Sequence, residues 1–383
     1  MTYDDAALSI DNPLRGSLFN KPTPVGVPGY DVYRGCEASY TGEEVTATNF
    51  IAVLKGDSDT TGGKPVLRST SKDRVFVYFA DHGAVGLVAM PVGDPLFASD
   101  LIDTLHFMQD NQMYKELVFY IEACESGSMF EGLLPSNASI YGMTAANSHE
   151  SSYGTYCGEE STVDGVMIGS CLGDLYSVNF LENSDDPASF QRETLDGQFE
   201  IIKNKTTMSH VQKFGSDYMG FEPISWFEGS IDFPSVGLSR FYSVDYFPKT
   251  PINSRDIPLY TLTNKKLFAN SAEEAAALGD EIAKELTQRE YADVIFRRIA
   301  TLFSGELHVD YFSRPLPPGG LTEHECLKAV TKTAIAHCGP FDDYSLKHVR
   351  VLANLCQEGF DTTAVSEGIV MVCDSMSSKS LER

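Results

Sequence analysis

The sequence predicts a wound α/β domain with helices on both faces of its sheet, followed by a small all-helical domain held by disulfides. Three observations carry this. Two apolar runs, 74–80 and 117–121, each end in polar residues and glycine, as buried strands do. Helical periodicity alternates with such runs through the first half of the chain. Four cysteines, Cys326, Cys338, Cys356 and Cys373, crowd the last helical stretch at spacings too wide for a compact zinc site. The cluster reads as two disulfides and hence an oxidising compartment; the competing reading is four unpaired buried thiols.

Taken in order, Phe50, Val53 and Leu54 share one face of a helix over Thr46 to Lys55, with Thr46 as its N-cap. Strand-like runs follow at 74–80, 87–90, 117–121 and 139–144, with a helix from Ala98 to Asn111 among the stretches between them. Residues 145–173 are polar, rich in Gly and Ser, and read as a long functional loop. Asp174 to Glu182 resumes an apolar pattern, and an amphipathic region runs on to about residue 213. Gly229, Pro234, Gly237, Pro248, Pro251 and Pro258 then break any helix and mark a linker. Ser271 with Glu274 forms a capping-box signature. The helix behind it carries Leu278, Ile282 and Leu286, then Ile295, Ile299 and Leu302, a stripe read as packing. Pro315, Pro317 and Pro318 precede the cysteine-bearing bundle over 321–376.

The chain has 383 residues and a net charge of -25, which would repel nucleic acid and suits an acidic compartment. No stretch approaches the roughly 18 consecutive apolar residues of a membrane helix. Met1-Thr2-Tyr3-Asp4-Asp5 lacks the basic start and apolar segment of a signal peptide. The sequons Asn137-Ala138-Ser139 and Asn204-Lys205-Thr206 are compatible with a secretory route all the same. Neither a metal nor another cofactor is expected.

The two strand ends carry the chemistry. The first strand runs into Asp81-His82-Gly83 and the other into Glu122-Ala123-Cys124-Glu125-Ser126-Gly127. In an open parallel sheet, reactive side chains gather beyond the carboxyl ends of the strands. A thiol attacks as its thiolate, so Cys124 needs a neighbouring base, which His82 could supply. The amides of Gly83 and Cys124 could hold an oxyanion. The plainer alternative is a buried structural Cys and a satisfied core His. On these grounds the leading reading is a cysteine peptidase.

The segments Tyr78-Phe79-Ala80-Asp81-His82-Gly83 and Phe119 through Met129 closely resemble blocks of the legumains, the asparaginyl endopeptidases also called vacuolar processing enzymes. Asp31-Val32-Tyr33, Tyr40-Thr41-Gly42, 49–54, Thr144-Ala145-Ala146-Asn147, Glu150-Ser151-Ser152-Tyr153, 173–178 and Ser209-His210-Val211 continue the likeness in order. The resemblance implies a caspase-like catalytic domain over 1–226, a linker over 227–270, an activation helix over 271–304 and a helical prodomain over 305–383. It implies hydrolysis after Asn, and less readily after Asp, through a thioester on Cys124. His82 would be the general base, with the amide of Gly83 in the oxyanion hole. Glu122, Ser151 and Asp174 would line the pocket for the Asn side chain, where carboxylates accept from the amide nitrogen.

The same resemblance implies disulfides Cys157–Cys171, Cys326–Cys356 and Cys338–Cys373, and leaves Cys36 without a counterpart. It makes the tail a cap released in acid, with Asn270 and Asn264 as candidate self-cleavage sites. The implied partners are peptide and protein substrates, the chain's own prodomain and cystatin-like inhibitors. The implied setting is a vacuole or lysosome-like compartment. The family's first strand, and the segment bearing its Asn, Arg and His, have no match before Tyr3, so the chain is expected to be truncated at its amino terminus. Two rivals stand beside this reading: the catalytic subunit of the glycosylphosphatidylinositol transamidase, and a non-catalytic relative that only binds partners.

Overall fold

Alternating strands and helices build a four-stranded main sheet in a computed structural model that describes residues 1–24, 26–185, 190, 192–229, 251–317 and 320–380. In chain order the strands are β1 (Arg74–Ala80), β2 (Gly83–Ala84), β3 (Leu87–Val88), β4 (Leu96–Phe97), β5 (Glu116–Glu122), β6 (Ile140–Thr144), β7 (Tyr153–Cys157), β8 (Thr162–Val163), β9 (Val166–Met167), β10 (Cys171–Asp174), β11 (Gln212–Gly215) and β12 (Ile252–Asn253). The α-helices are α1 (Ala47–Lys55), α2 (Ala98–Asp110), α3 (Leu175–Ser184), α4 (Leu195–Lys205), α5 (Ile257–Leu267), α6 (Ala272–Ser304), α7 (His324–Cys338), α8 (Val349–Gln357) and α9 (Thr362–Ser380).

The main sheet has the order β1-β5-β6-β11, with β1, β5 and β6 parallel and β11 antiparallel to β6. Every residue of β5 is buried, which explains its nearly unbroken apolar sequence. Its side chains alternate between two cores. Leu117, Phe119 and Ile121 pack with Leu54 of α1 and Leu101, Leu105 and Met108 of α2. Val118 and Tyr120 face Phe180 of α3 and Leu195, Phe199 and Ile202 of α4. A strand with period-2 geometry thus serves helices on both faces. At the head of α1 the Thr46 hydroxyl accepts from the Asn49 amide at 3.1 Å, fixing the predicted start.

Several expectations need correction. The run 87–90 contributes only Leu87–Val88, which joins a small antiparallel sheet β2-β3-β4 rather than the main one. Gly86, at φ +74°, closes the two-residue turn that folds β3 back on β2 and so places the run in the small sheet. The stretch 145–173 is not a plain loop: β7 and β10 pair antiparallel and are joined by the Cys157–Cys171 disulfide. Its Gly and Ser content hides strands that rest on pairing and a covalent bridge. The amphipathic region ends not as helix but as β11. Pro258 does not break a helix but lies in the first turn of α5, where its missing N–H costs nothing. The other expected breakers Pro234, Gly237 and Pro248 lie outside the described residues, as does Pro318.

Residues of α6 to α9 form a cap with its own core, which includes Ile295, Ile299, Val330, Leu352 and Ile369. Disulfides Cys326–Cys356 and Cys338–Cys373 cross it. That core is continuous with Ala84, Val85, Leu87 and Phe97 in the first half of the chain. Leu321 and Leu327 press on the bare Cα of Gly86, where a Cβ would stand 2.7 and 2.8 Å from their methyl carbons. The stripe along α6 is core only in part. Ile295 and Ile299 are buried, whereas Leu286 and Leu302 are exposed. Ser271 accepts from the Glu274 amide at 3.1 Å, but the Glu274 carboxylate takes the Asn270 amide, one residue upstream of the box's usual partner. No described helix is long and apolar enough to cross a membrane.

Candidate active site

The register of β1 on β5 sets Ala80 beside Glu122, and the Asp81 amide donates to the Glu122 carbonyl at 3.2 Å. Both strands therefore release their chains at one level, with His82 and Cys124 each two residues further on. Gly83 then passes so close that a Cβ would stand 2.3 Å from the Cys124 carbonyl oxygen. Only glycine allows this approach. Glu125, the next residue after the thiol, holds a left-handed conformation at φ 49°, a strained geometry fixed by its surroundings.

The Cys124 thiol is buried, accepts from the Ser152 amide at 3.3 Å and lies 3.7 Å from the Ser152 hydroxyl. Burial pushes the thiol up, partly offset by the Arg255 guanidinium. His82 Nε2 lies 3.3 Å from Oδ2 of Asp343, a cap residue. His82 is thus engaged by a residue of the cap.

Next to this pair are two acids. Glu122 is 2 % exposed, and its Oε2 accepts from the Ser177 amide at 2.9 Å and the Ser177 hydroxyl at 2.7 Å. Its Oε1 is buried without a hydrogen-bond partner. Burial, then the Asp174 carboxylate, push Glu122 well above the usual carboxylate range. Burial also lifts Asp174 to about 6, with His82 opposing. Asp174 occupies the N-cap position of α3 without making a side-chain capping bond. A cavity of about 500 Å³ opens between His82, Asp174, Ser254, Lys265 and Asp343.

The strand β12 adds to β7, pairing Ile252 with Gly154 and Asn253 with Tyr153. This carries Arg255 into the site. Its guanidinium donates to Glu125 at 2.6 Å, to the Ser151 hydroxyl at 2.9 Å and to the Gly83 carbonyl at 3.0 Å. Arg350 of α8 reaches the other oxygen of Glu125 at 2.7 Å. Further cap ion pairs are Lys328–Asp100 at 2.5 Å and Lys332–Asp94 at 2.9 Å.

Of the residues singled out in the sequence, the structure gathers Cys124, His82, Gly83, Glu122, Ser151 and Asp174 around one cleft. Asn270 is exposed between α5 and α6, whereas Asn264 lies within α5 with its Nδ2 buried and unpartnered. Cys36 is a free, exposed thiol. Among the described residues no group of His, Cys, Asp and Glu could hold a metal. Ser152, Ser177, Arg255, Asp343 and Arg350 escaped the sequence reading. Ser152 and Ser177 stood within the recognised segments 150–153 and 173–178; the others carried no local signal.

The profile of the Peptidase C13 family matches residues 1–230, and that of the legumain prodomain matches residues 280–373. Among curated proteins, legumain of Bos taurus is 38 % identical over 381 residues, covering 97 % of this chain and 83 % of its own. The vacuolar-processing enzyme delta-isozyme of Arabidopsis thaliana is 36 % identical over 385 residues, covering 97 % of this chain and 81 % of its own. The hemoglobinase of Schistosoma mansoni is 37 % identical over 378 residues, covering 97 % and 82 %.

Proposed function

The chain belongs to the Peptidase C13 family and is an asparaginyl cysteine endopeptidase with a legumain prodomain, and from that premise we propose which residues do the work. Cys124 is the nucleophile and His82 its general base. The observation that carries this is the convergence of both strand ends, with Gly83 packed on the backbone of Cys124. Once the cap leaves, His82 takes the thiol proton and the sulfur attacks the carbonyl carbon after Asn. The amides of Gly83 and Cys124 hold the developing oxyanion, a contribution of about 3 kcal/mol per donor in comparable sites. The tetrahedral adduct collapses to a thioester as the amine leaves with a proton from His82. Water, activated by the same base, then hydrolyses the thioester.

Glu122, Ser151 and Asp174 form the pocket for the Asn side chain. Oε1 of Glu122 is a buried acceptor without a partner, as a polar specificity pocket needs before its substrate arrives. The reading divides the chain into a catalytic unit over 1–226, a linker over 227–270, an activation helix over 271–304 and a prodomain over 305–383. The prodomain silences the enzyme by holding His82 through Asp343 and Glu125 through Arg350. In Glu125, Asp100 and Asp94 the catalytic side supplies carboxylates to cap cations, ion pairs that hold the cap in place. Asn270 is the self-cleavage site, being exposed between helices, while Asn264 is shielded within one. We place the protein in a vacuole or lysosome-like compartment reached by the secretory route, in keeping with its three disulfides. Cystatin-like proteins are the inhibitors this reading expects.

Acid incubation followed by mass spectrometry tests the scheme. The expected result is a new amino terminus at Ser271 and labelling by an Asn-directed thiol probe, both lost in Cys124→Ala. Processing that persists in that variant would refute the assignment of the nucleophile, and processing at neutral pH would remove the reason for an acidic compartment.

A further inference from the structure

We propose that Ser177 is a positioning residue for substrate selection, committing one oxygen of Glu122 and so reserving the other for the side chain before the scissile bond. The inference rests on the reading of Glu122 as a pocket acid and goes beyond it. A helix N-terminus usually satisfies its third amide with the side chain of its own N-cap residue. In α3 that residue is Asp174, which makes no such bond. The Ser177 amide is satisfied instead by Oε2 of Glu122, reaching across from the end of β5 at 2.9 Å. The Ser177 hydroxyl adds a second bond to the same oxygen at 2.7 Å. The exchange leaves the Asp174 carboxylate uncommitted by the helix and ties Glu122 down at one oxygen.

The direction of the chain of bonds follows from proton counting. A serine hydroxyl has one hydrogen, and Ser177 gives it to Glu122. The Tyr78 hydroxyl, 2.6 Å from Ser177 Oγ, must therefore be the donor to it. Tyr78 is kept protonated, because burial of its hydroxyl and the Glu122 carboxylate both push it up. The relay runs Tyr78 to Ser177 to Glu122 Oε2. With Oε2 accepting twice, any proton on this carboxyl sits on Oε1, which is buried and unpartnered. An Oε1 without a proton accepts from the Asn amide; an Oε1 bearing one donates to an Asp carboxylate. The relay thus sets which of the two side chains the pocket prefers at a given pH.

The test is steady-state kinetics of the acid-processed protein on matched peptides with Asn or Asp before the cleaved bond. In Ser177→Ala, kcat/KM on the Asn peptide should fall about tenfold, the loss of one charge-assisted hydrogen bond. Removing a donor to the ionised form keeps Glu122 protonated to higher pH, so cleavage after Asp should persist to higher pH than in the parent. Tyr78→Phe, which removes only a hydroxyl, should shift the profile in the same direction by less, and it carries the test if Ser177→Ala does not fold. A Ser177→Ala protein with the parent's Asn-to-Asp ratio and pH profile would overturn the relay while leaving the peptidase reading intact. A parent chain without Cys124-dependent cleavage would instead overturn the reading of the site, and the relay with it.

Discussion

Glu125 shows how a single carboxylate can hold an enzyme shut. It is 1 % exposed, directly follows the proposed nucleophile Cys124, and receives one guanidinium from Arg255 and another from Arg350. Two cations on one buried acid satisfy it without leaving a bare charge, and removing a partner from such a site is costly. Arg350 is the one that leaves with the cap. In Arg350→Ala, Glu125 keeps Arg255 and the site stays folded, while the cap loses its deepest ionic hold. The pH at which half the chain is processed in a fixed time should rise relative to the parent; an unchanged value would mean the pair is passive. Cys124 and His82, the proposed nucleophile and base, could be singled out in the sequence because each follows an apolar run with glycine close behind. Arg255, Arg350 and Asp343 were not. Arg255 lies in a stretch rich in Pro and Gly that reads as linker, Arg350 has the local pattern of an ordinary solvated residue on a helix, and Asp343 sits in a loop. Only long-range docking of the cap gives them roles, and no local pattern encodes that.

At the scale of elements, the junction of α6 and α8 explains how acid loosens the cap from within. His348 stacks on Phe296 at 4.9 Å, with Nε2 2.8 Å from Oδ1 of Asp293 on α6. Lys347 and Tyr344 converge on the same carboxylate at 3.1 and 3.0 Å. Burial, then the Lys347 charge, push His348 down to about 4, although Asp293 opposes them. The folded value lies below the unfolded value near 6.5, so this group's contribution is complete above that pH. It is lost as pH falls from there towards 4, at a cost of up to about 3 kcal/mol. In His348→Gln, which keeps a donor to Asp293 and cannot titrate, α8 should retain its hydrogen-exchange protection between pH 6.5 and 4.5, after correction for intrinsic rates. Equal losses in variant and parent would place the acid response elsewhere. The periodicity of α6 foretold a helix behind Ser271 but not which of its turns are covered. Ile295 and Ile299 meet α8 and α9, while Leu286, on the same stripe, is exposed, because apolar spacing marks a face and not the extent of its partner.

Across the whole molecule the two halves respond to pH in opposite senses. The cap is weakened in acid through His348. The catalytic half carries acids with the reverse sign. Burial lifts Glu228 to about 7 and Asp174 to about 6. Their folded values lie above the unfolded ones, so their contribution is complete below about pH 4 and is lost as pH rises through 6 to 7. Each withholds up to about 3 kcal/mol at neutral pH. A net charge of -25 adds self-repulsion over the same range. The sequence signalled an acid setting through that charge and through the family resemblance; which carboxyls enforce it depends on burial, and burial is set by packing. The cap offsets the penalty at neutral pH by lending cations and by extending one apolar core across the boundary, from Ala84 and Leu87 to Leu327 and Val349. The apolar share explains why cutting after Asn270 at neutral pH should not free the cap, since burial of that surface does not depend on charge. Thermal unfolding of the processed catalytic unit should therefore move to lower temperature between pH 5 and 7.5. The uncut Cys124→Ala chain should lose less over that range, because the contribution of His348 within the cap grows as pH rises towards 6.5. Parallel falls in the two proteins would show that the cap contributes no pH-dependent support, and that the acids of the catalytic half act alone.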